Sequence, residues 1–436
     1  LRLLVLVHLD EGLRRALAER LRERAVRLLR TAPVALDLLY LATLDLGRLP
    51  ATTVSAGRMK YVIVADKGEM GVRAVRECVA LGLVPVVCHS LQDDENALQV
   101  RLARAHGGFT VGLVGSFRES YANYLQIAQQ VRRVFQERFG DDWDEELARA
   151  ALYPGYGPLA ENASAIRHFR QNGLIFIGPM QDVVEEAGDK RTFRSIVQRL
   201  DPAAGTPGVT LESSDGEAVR AQIEAAHRAG AFRFPGRLKA ANGGGGRGQA
   251  VVQSVEQLPQ AITKVLGEIR SYGWDAGVMF EQNISQTVHL EVQVLRDRYG
   301  NARHFGMRDC TEQRASQKIQ EEAPPALLRD RPELQARIQQ LAVEVAHHVG
   351  YVGAGTVELM YKDGHYYFLE MNTRIQVEHP VTEEVHAIRR DDGLEPLNLV
   401  RWQMRIANGA PIGQLLIVQG NLLKDPDGYF TGAAQP

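Results

Sequence analysis

The sequence predicts an α/β unit built on a parallel sheet, followed by an α+β body whose strands carry the chemistry. Three stretches point that way. "KYVIVA" at 60–65 and "VPVVCHS" at 84–90 are apolar runs of buried-strand type, with the turn "DKGEMG" and a helical stretch between them. A strand–helix–strand order of this kind implies parallel pairing. "KAANGGGGRGQ", Lys239 to Gln249, lies between two strand-like runs, which places its glycines on a flap at a hairpin tip. "GTVELMYKDGHYYFLEM" at 355–371 reads as a hairpin, and it runs on into "NTRIQVEHPVTEE".

Along the chain, residues 1–58 form a Leu/Arg-rich stretch in which "LRRALAERLRERAVRLLR" is helical, with Leu and Ala on one side and Arg on the other. Glu19 and Glu23 argue against a transit peptide, so a solvated leader before Met59 is the expectation. A first domain is expected over 59–188. Its glycines at 68 and 71 do not make a dinucleotide fingerprint. "SYANYLQIAQQVRRVFQERF" is a long helix, "LYPGYGPLAEN" a tight loop and "GLIFIGP" a further strand. A second domain is expected over 189–410, opening on the helix "GDKRTFRSIVQRL" and carrying the glycine-rich flap within 208–284. Residues 411–436 begin a further region.

Composition narrows the class. The chain has 436 residues, with 45% hydrophobic and 24% charged, as in a globular protein of two or three domains. A formal net charge of -2 excludes bulk electrostatic binding to nucleic acid or membrane. No apolar run is long enough to span a bilayer. Cys78, Cys88 and Cys310 show neither metal spacing nor a disulfide pattern, which fits a reducing, cytoplasmic setting, with the mitochondrial matrix second.

Period two puts Glu370, Asn372, Arg374, Gln376 and Glu378 on one face of an extended chain, with Met371, Thr373, Ile375 and Val377 on the other. Two carboxylates, a guanidinium and two amides make too particular a face for ordinary solvent exposure. Glu358 and Glu370 flank the turn "KDG". A three-residue loop would put them on one face, where they could hold Mg²⁺; a two-residue Asp363-Gly364 loop would separate them. The flap glycines let backbone N–H groups close over a polyphosphate that Lys239 and Arg247 would neutralise. Gln313, Arg314 and Lys318 crowd "DCTEQRASQKIQEEAP", and His289 and Glu291 share a strand face.

Taken together, "GYGPLAEN", "FIGP", "GDK", "KAANGGGGRG", "HLEVQVL", "RDCTEQRASQK", "EEAP", "GAGTVE" and "EMNTRIQVEHPVTE" resemble, in family order, the biotin carboxylases, the ATP-grasp component of biotin-dependent carboxylases. The resemblance implies a pre-ATP-grasp domain and then an ATP-grasp fold with a mobile lid. By position, Lys190 and Lys239 resemble phosphate ligands, and Gly243, Gly244, Gly245, Gly246 and Gly248 the lid loop. Glu281, His289 and Gln313 resemble further nucleotide contacts, with Glu281 at the adenine amino group. Glu358, Glu370 and Asn372 match the positions for Mg²⁺ or Mn²⁺, which favours the three-residue loop. Arg374, Gln376, Val377 and Lys318 match the bicarbonate site, and Glu378 the base; Arg374, Glu378 and Lys318 are the catalytic set.

The implied reaction is ATP-dependent carboxylation of biotin through carboxyphosphate, in an acyl-CoA or 2-oxo-acid carboxylase. Met59-Lys60 is the only Met-Lys pair and is no biotinylation site, so biotin is expected on a separate carrier domain, with a carboxyltransferase partner and a homodimer or larger complex. Departures are Asp66, Tyr153, Gln282 and Ser316, an insertion around "RRDDGLEP", and Gly420 where the family has an Arg at the biotin site. Gly420 and the short tail imply an incomplete C-terminal part, while Gln282 and Ser316 would weaken ATP binding without touching the chemistry. Two other readings stay open: another carboxyphosphate-forming ligase, or a nucleotide-binding scaffold without biotin turnover.

Overall fold

The computed structural model describes residues 59–211, 213–241, 247–274, 277–314, 317–391 and 393–419. The leader, the flap residues Gly243–Gly246, Ser316 and Gly420 lie outside them.

Strands β1 (Tyr61–Val64), β2 (Val84–Ser90), β3 (Phe109–Leu113), β4 (Ala150–Tyr153) and β5 (Ile175–Phe176) form a sheet in the order β3-β2-β1-β4-β5. Every pairing is parallel. Parallel sheets need cover on both faces, which is why β1 is apolar without a break. Val62 and Val64 pack with Met70, Ala74 and Cys78 of the helix Gly68–Ala80, while Tyr61 and Ile63 pack with Ile127, Val131 and Phe135 of the helix Tyr124–Phe139. The first of these cores does not stop at the sheet. It continues into Leu399, Val400, Trp402 and Met404 of the helix Leu399–Ala407, joining the chain's two halves.

The flap belongs to a second sheet, in the order β6-β9-β7-β8, made by β6 (Gly208–Leu211), β7 (Gly236–Ala240), β8 (Gln249–Val252) and β9 (Val278–Gln282). β7 and β8 pair antiparallel up to Lys239 and Gln249. This sheet has its own core with the helices Gly216–Arg228 and Leu258–Tyr272, centred on Val219, Leu238, Val265 and Phe280. Gly236 is needed there, because a Cβ would lie 2.1 Å from the Phe280 ring.

The third sheet, β11-β10-β14-β15, is antiparallel and consists of β10 (Val288–Arg296), β11 (Ala302–Asp309), β14 (Gly353–Lys362) and β15 (His365–Asn372). The helix Pro332–His348 covers one face through Ile338, Leu341, Ala342 and Val345. Between β11 and β14 in sequence, β12 (Gln313–Arg314) and β13 (Gln317–Lys318) pair Gln313 with Lys318. The "RRDDGLEP" insertion forms a hairpin of β16 (His386–Arg390) and β17 (Gly393–Pro396), with β18 (Leu416–Gln419) on the other side of β16.

Two expectations need correction. The β14–β15 loop has two residues, Asp363 and Gly364, both at positive φ (49° and 86°), as a type I′ turn requires. Lys362 faces His365, and that register would put Glu358 and Glu370 on opposite faces. A β-bulge restores it: beyond the pair Leu359–Phe368, Leu369 is the extra residue, and Glu358 then faces Glu370 directly. The second correction concerns the strand's length. β15 ends at Asn372 and the chain turns, so Val377, expected on the inward face, is 63% exposed, while Gln376 is buried.

Near the first sheet, Asp66 is buried and accepts the N–H groups of Lys67 at 2.8 Å and Tyr156 at 3.1 Å. Burial raises its pKa to about 6, against backbone hydrogen bonds that lower it. A carboxyl raised above its unfolded value destabilises the fold once ionised; that cost is full above pH 6 and fades as pH falls toward the unfolded value of 3.8. Stability should therefore fall by up to about 3 kcal/mol at this group between pH 4 and pH 7.5, a dependence that Asp66→Asn should remove. Denaturant titrations at the two pH values check this. Deleting Leu369 should straighten the strand and leave Glu370 opposite Glu358, whereas Glu370→Ala removes the second carboxylate. Mn²⁺ binding, read by electron paramagnetic resonance titration, should weaken by about tenfold or more in Glu370→Ala and stay within about threefold in the deletion, with the circular dichroism of the sheet unchanged.

Candidate active site

The side chains that matter project from β10, β11, β14 and β15 and from the turn after β15. At their centre, Arg308 of β11 has no exposed surface. It donates Nε–H to Glu291 at 2.6 Å, Nη1–H to Gln293 at 3.0 Å and Thr382 at 2.7 Å, and Nη2–H to Gln376 at 3.2 Å. Nε also lies 3.2 Å from Glu321. A guanidinium survives burial only with its donors matched in this way.

Lys318, delivered by β13, sits among the same carboxylates. It bonds Glu291, Glu378 at 2.8 Å and Glu358 at 3.2 Å. Burial opposes its charge, but Glu291, Glu358 and Glu378 hold its pKa well above the usual lysine value. The carboxylates respond in kind. Burial pushes Glu358 up, yet the His289 hydrogen bond and Lys318 hold it well below the ordinary range. Glu378 is likewise lowered: burial raises it, and Lys318 overcomes that. Glu321 moves the other way, raised by burial and then by Glu291 and Glu378. Near neutral pH, Glu378 is thus a carboxylate that can accept a proton and Glu321 a neutral acid.

Around Glu358 the geometry is dense. Gln313 Nε2 donates to His289 Nδ1 at 2.7 Å, which leaves the imidazole proton on Nε2, 2.8 Å from Glu358 Oε2. Asn372 and Gln376 donate their amides to Glu358 Oε1 at 2.7 and 3.2 Å. Glu370, opposite Glu358, bonds Lys190 at 2.5 Å from the start of the helix Lys190–Leu200, which Asp189 caps. Further along, Lys239 of β7 bonds Glu281 of β9 at 2.6 Å, and Arg194 bonds the same carboxylate at 3.3 Å. Gly248, at φ 68°, donates its N–H to Glu268.

The structure brings Lys318, Glu378, Gln376, Glu358, Asn372, His289 and Gln313 into one network, and Glu370 joins it to Lys190. Arg374 is turned toward Glu161 instead, with Nε 2.9 Å from its carboxylate. Arg308, Glu321 and Glu161 were not singled out by residue-level reading. Arg308 left one signal, a charge directly after the apolar run "FGM" of β11. The oxygen donors of Glu358, Glu370 and Asn372 suit a hard divalent cation. Two cationic lysines now occupy the carboxylates, a sign that the place attracts positive charge.

A family model described as the biotin carboxylase N-terminal domain matches residues 58–184, and one described as the carbamoyl-phosphate synthase L chain ATP-binding domain matches 189–415. The biotin carboxylase of Nostoc sp. is 36% identical over 388 residues, covering 86% of this chain and 79% of its own length. The chain belongs to the biotin carboxylase family. A family crystal structure, the biotin carboxylase domain of Hydrogenobacter thermophilus 2-oxoglutarate carboxylase with MgADP, ADP and bicarbonate, superposes with a TM-score of 0.67 at 34% identity. It covers 81% of this chain and 70% of that one. The mitochondrial methylcrotonoyl-CoA carboxylase subunit alpha of Mus musculus is 34% identical, and the chain spans 50% of its length.

Arg308→Met would leave Glu291 buried without its main partner. The expected loss is about 3–5 kcal/mol of unfolding free energy, read by urea denaturation.

Proposed function

We propose that this chain carboxylates biotin presented on a separate carrier, using ATP and bicarbonate, as the first half-reaction of a biotin-dependent carboxylase. The observation that carries this reading is Lys318 bonded at once to Glu358 and Glu378, beside the turn that bears Arg374, Gln376 and Val377. Cation, base and metal-type carboxylates meet within one network, in a chain of this family.

Roles follow from the chemistry. Bicarbonate is a weak nucleophile and must be held in line with the γ-phosphate; Arg374, Lys318, Gln376 and the backbone of Val377 supply that hold. Glu378, kept ionised by Lys318, takes its proton. Lys190 and Lys239 receive the ATP phosphates, under a lid that includes Gly243–Gly246 and Gly248. Glu281 accepts from the adenine amino group, and His289 and Gln313 complete the nucleotide contacts. Mg²⁺, held by Glu358, Glu370 and Asn372, would neutralise phosphate charge. Nucleotide entry then exchanges ion pairs rather than creating bare charges: phosphates replace Glu370 and Glu281 as partners of Lys190 and Lys239.

We assign residues 59–188 to the N-terminal domain and 189–410 to the ATP-grasp domain, with 208–284 as its lid. The partners we propose are a biotinyl carrier and a carboxyltransferase, in a homodimer or larger complex. Among the described residues no helix is long and apolar enough to cross a membrane. The three cysteines are free and buried, consistent with the reducing cytoplasm.

Mg²⁺-dependent ADP release with bicarbonate, with and without free biotin, tests the reading. Stimulation by biotin is expected. Bicarbonate-dependent release that ignores biotin would instead favour another carboxyphosphate-forming ligase. Glu378→Gln should lower the bicarbonate-dependent rate by about a hundredfold or more, while ATP affinity, measured by equilibrium dialysis, changes little.

A further inference from the structure

The loop from Tyr153 to Glu161 leaves β4 of the first sheet and ends against the candidate reaction centre. At its near end it is pinned by Asp66, which accepts the Tyr156 N–H. The backbone lies so close that a Cβ on Gly155 would come within 2.1 Å of Asp66 Oδ2. Past its far end, Asn162 caps the helix Ala163–Gln171 by accepting the Ala165 N–H at 3.0 Å. Glu161 sits between these anchors with little freedom of backbone. It spans two groups of the turn after β15: Oε1 accepts the Thr373 N–H at 3.0 Å, and Oε2 accepts Nε–H of Arg374 at 2.9 Å.

Arg374 has need of such a hold. The sheet ends at Asn372, so no ladder fixes its backbone. Its other hydrogen bond is local, from Nη1 to the Ile375 carbonyl at 3.2 Å. A carboxylate on Nε sets the plane of a guanidinium and leaves Nη2 to face an anion.

We propose that Glu161 is a positioning residue for bicarbonate, holding Arg374 in place and plane without touching the substrate. The N-terminal unit thereby enters the reaction through this side chain. The proposal rests on the assignment of Arg374 to the bicarbonate site.

The test compares wild type with Glu161→Ala and Glu161→Gln in bicarbonate-dependent ADP release. Glu161 is exposed, so neither change disturbs the core. Glu161→Ala should raise the bicarbonate KM about ten- to a hundredfold, with the ATP KM within about twofold of wild type. Glu161→Gln should fall between them, because its amide oxygen still accepts the Thr373 N–H. Hydrogen exchange should quicken at Thr373 in the alanine variant. An unchanged bicarbonate KM overturns the proposal, as does an ATP KM that rises in parallel, which is what a purely structural role would give. Tighter bicarbonate binding also overturns it, since Glu161 would then be restraining Arg374 from its task. If wild type itself shows no bicarbonate-dependent release, the functional reading fails and takes this proposal with it. A working wild type with an unaltered variant removes this proposal alone.

Discussion

A guanidinium with no exposed surface, Arg308, is the constraint on which the rest of the site depends. Its hydrogen bonds tie β10 to β11 through Glu291, and tie both strands to the turn and helix beyond β15 through Gln376 and Thr382. Those segments are far apart in sequence. Desolvating an arginine is costly, and the cost is offset only in a geometry that satisfies every donor. The same geometry leaves Glu291 with a second oxygen for Lys318. One buried cation therefore fixes a carboxylate that fixes a second cation, and the second cation reaches Glu378 and Glu358.

Charge balance then sets protonation. Glu321, raised by burial and by Glu291 and Glu378, stays neutral, while Lys318 holds Glu378 and Glu358 ionised. Carboxylates packed this closely cannot all ionise, and environment decides which does. A proton acceptor is thus present beside a metal-type carboxylate with no rearrangement required. The pairs Lys190–Glu370 and Lys239–Glu281 act similarly toward a polyphosphate, since each lysine is already placed by a carboxylate that it can relinquish.

Much of this was legible in the sequence, and the failures have physical causes. The parallel sheet followed from unbroken apolar runs, and the β7–β8 hairpin from the two strand-like runs on either side of the glycines. Glu358 and Glu370 were rightly paired on one face, but the means was misread: turn chemistry favours a two-residue loop at Asp363-Gly364, and no local signal marks Leu369 as a bulge. Period-two reasoning also ran too far. It predicted Val377 inward, whereas the chain had already left the sheet, drawn into a turn by the grip of Arg308 on Gln376. Arg308 and Glu161 escaped residue-level reading because their partners lie on other elements, and period or spacing within one segment does not report them.

The junction between the halves explains why a residue of the first sheet can serve a site built on the third. Val62 and Val64 of β1, Met70 and Cys78 of the next helix, and Leu399 and Met404 of the helix Leu399–Ala407 share one core, which also takes in Ile375 of the turn itself. Polar links follow the same path: Arg73 pairs with Glu383, which accepts the Leu399 N–H at 2.6 Å, and Glu77 binds Arg401 at 2.6 Å and Asn398 at 2.7 Å. With Ile375 anchored in that core and Gln376 held by Arg308, the turn is fixed on both sides of its exposed Val377. Arg374 is the residue left outside both grips, and the Tyr153–Glu161 loop comes from the side of the same junction to meet it. A shared apolar core gives the coarse register between the halves; the carboxylate of Glu161 supplies the fine placement that dispersion contacts, being non-directional, cannot.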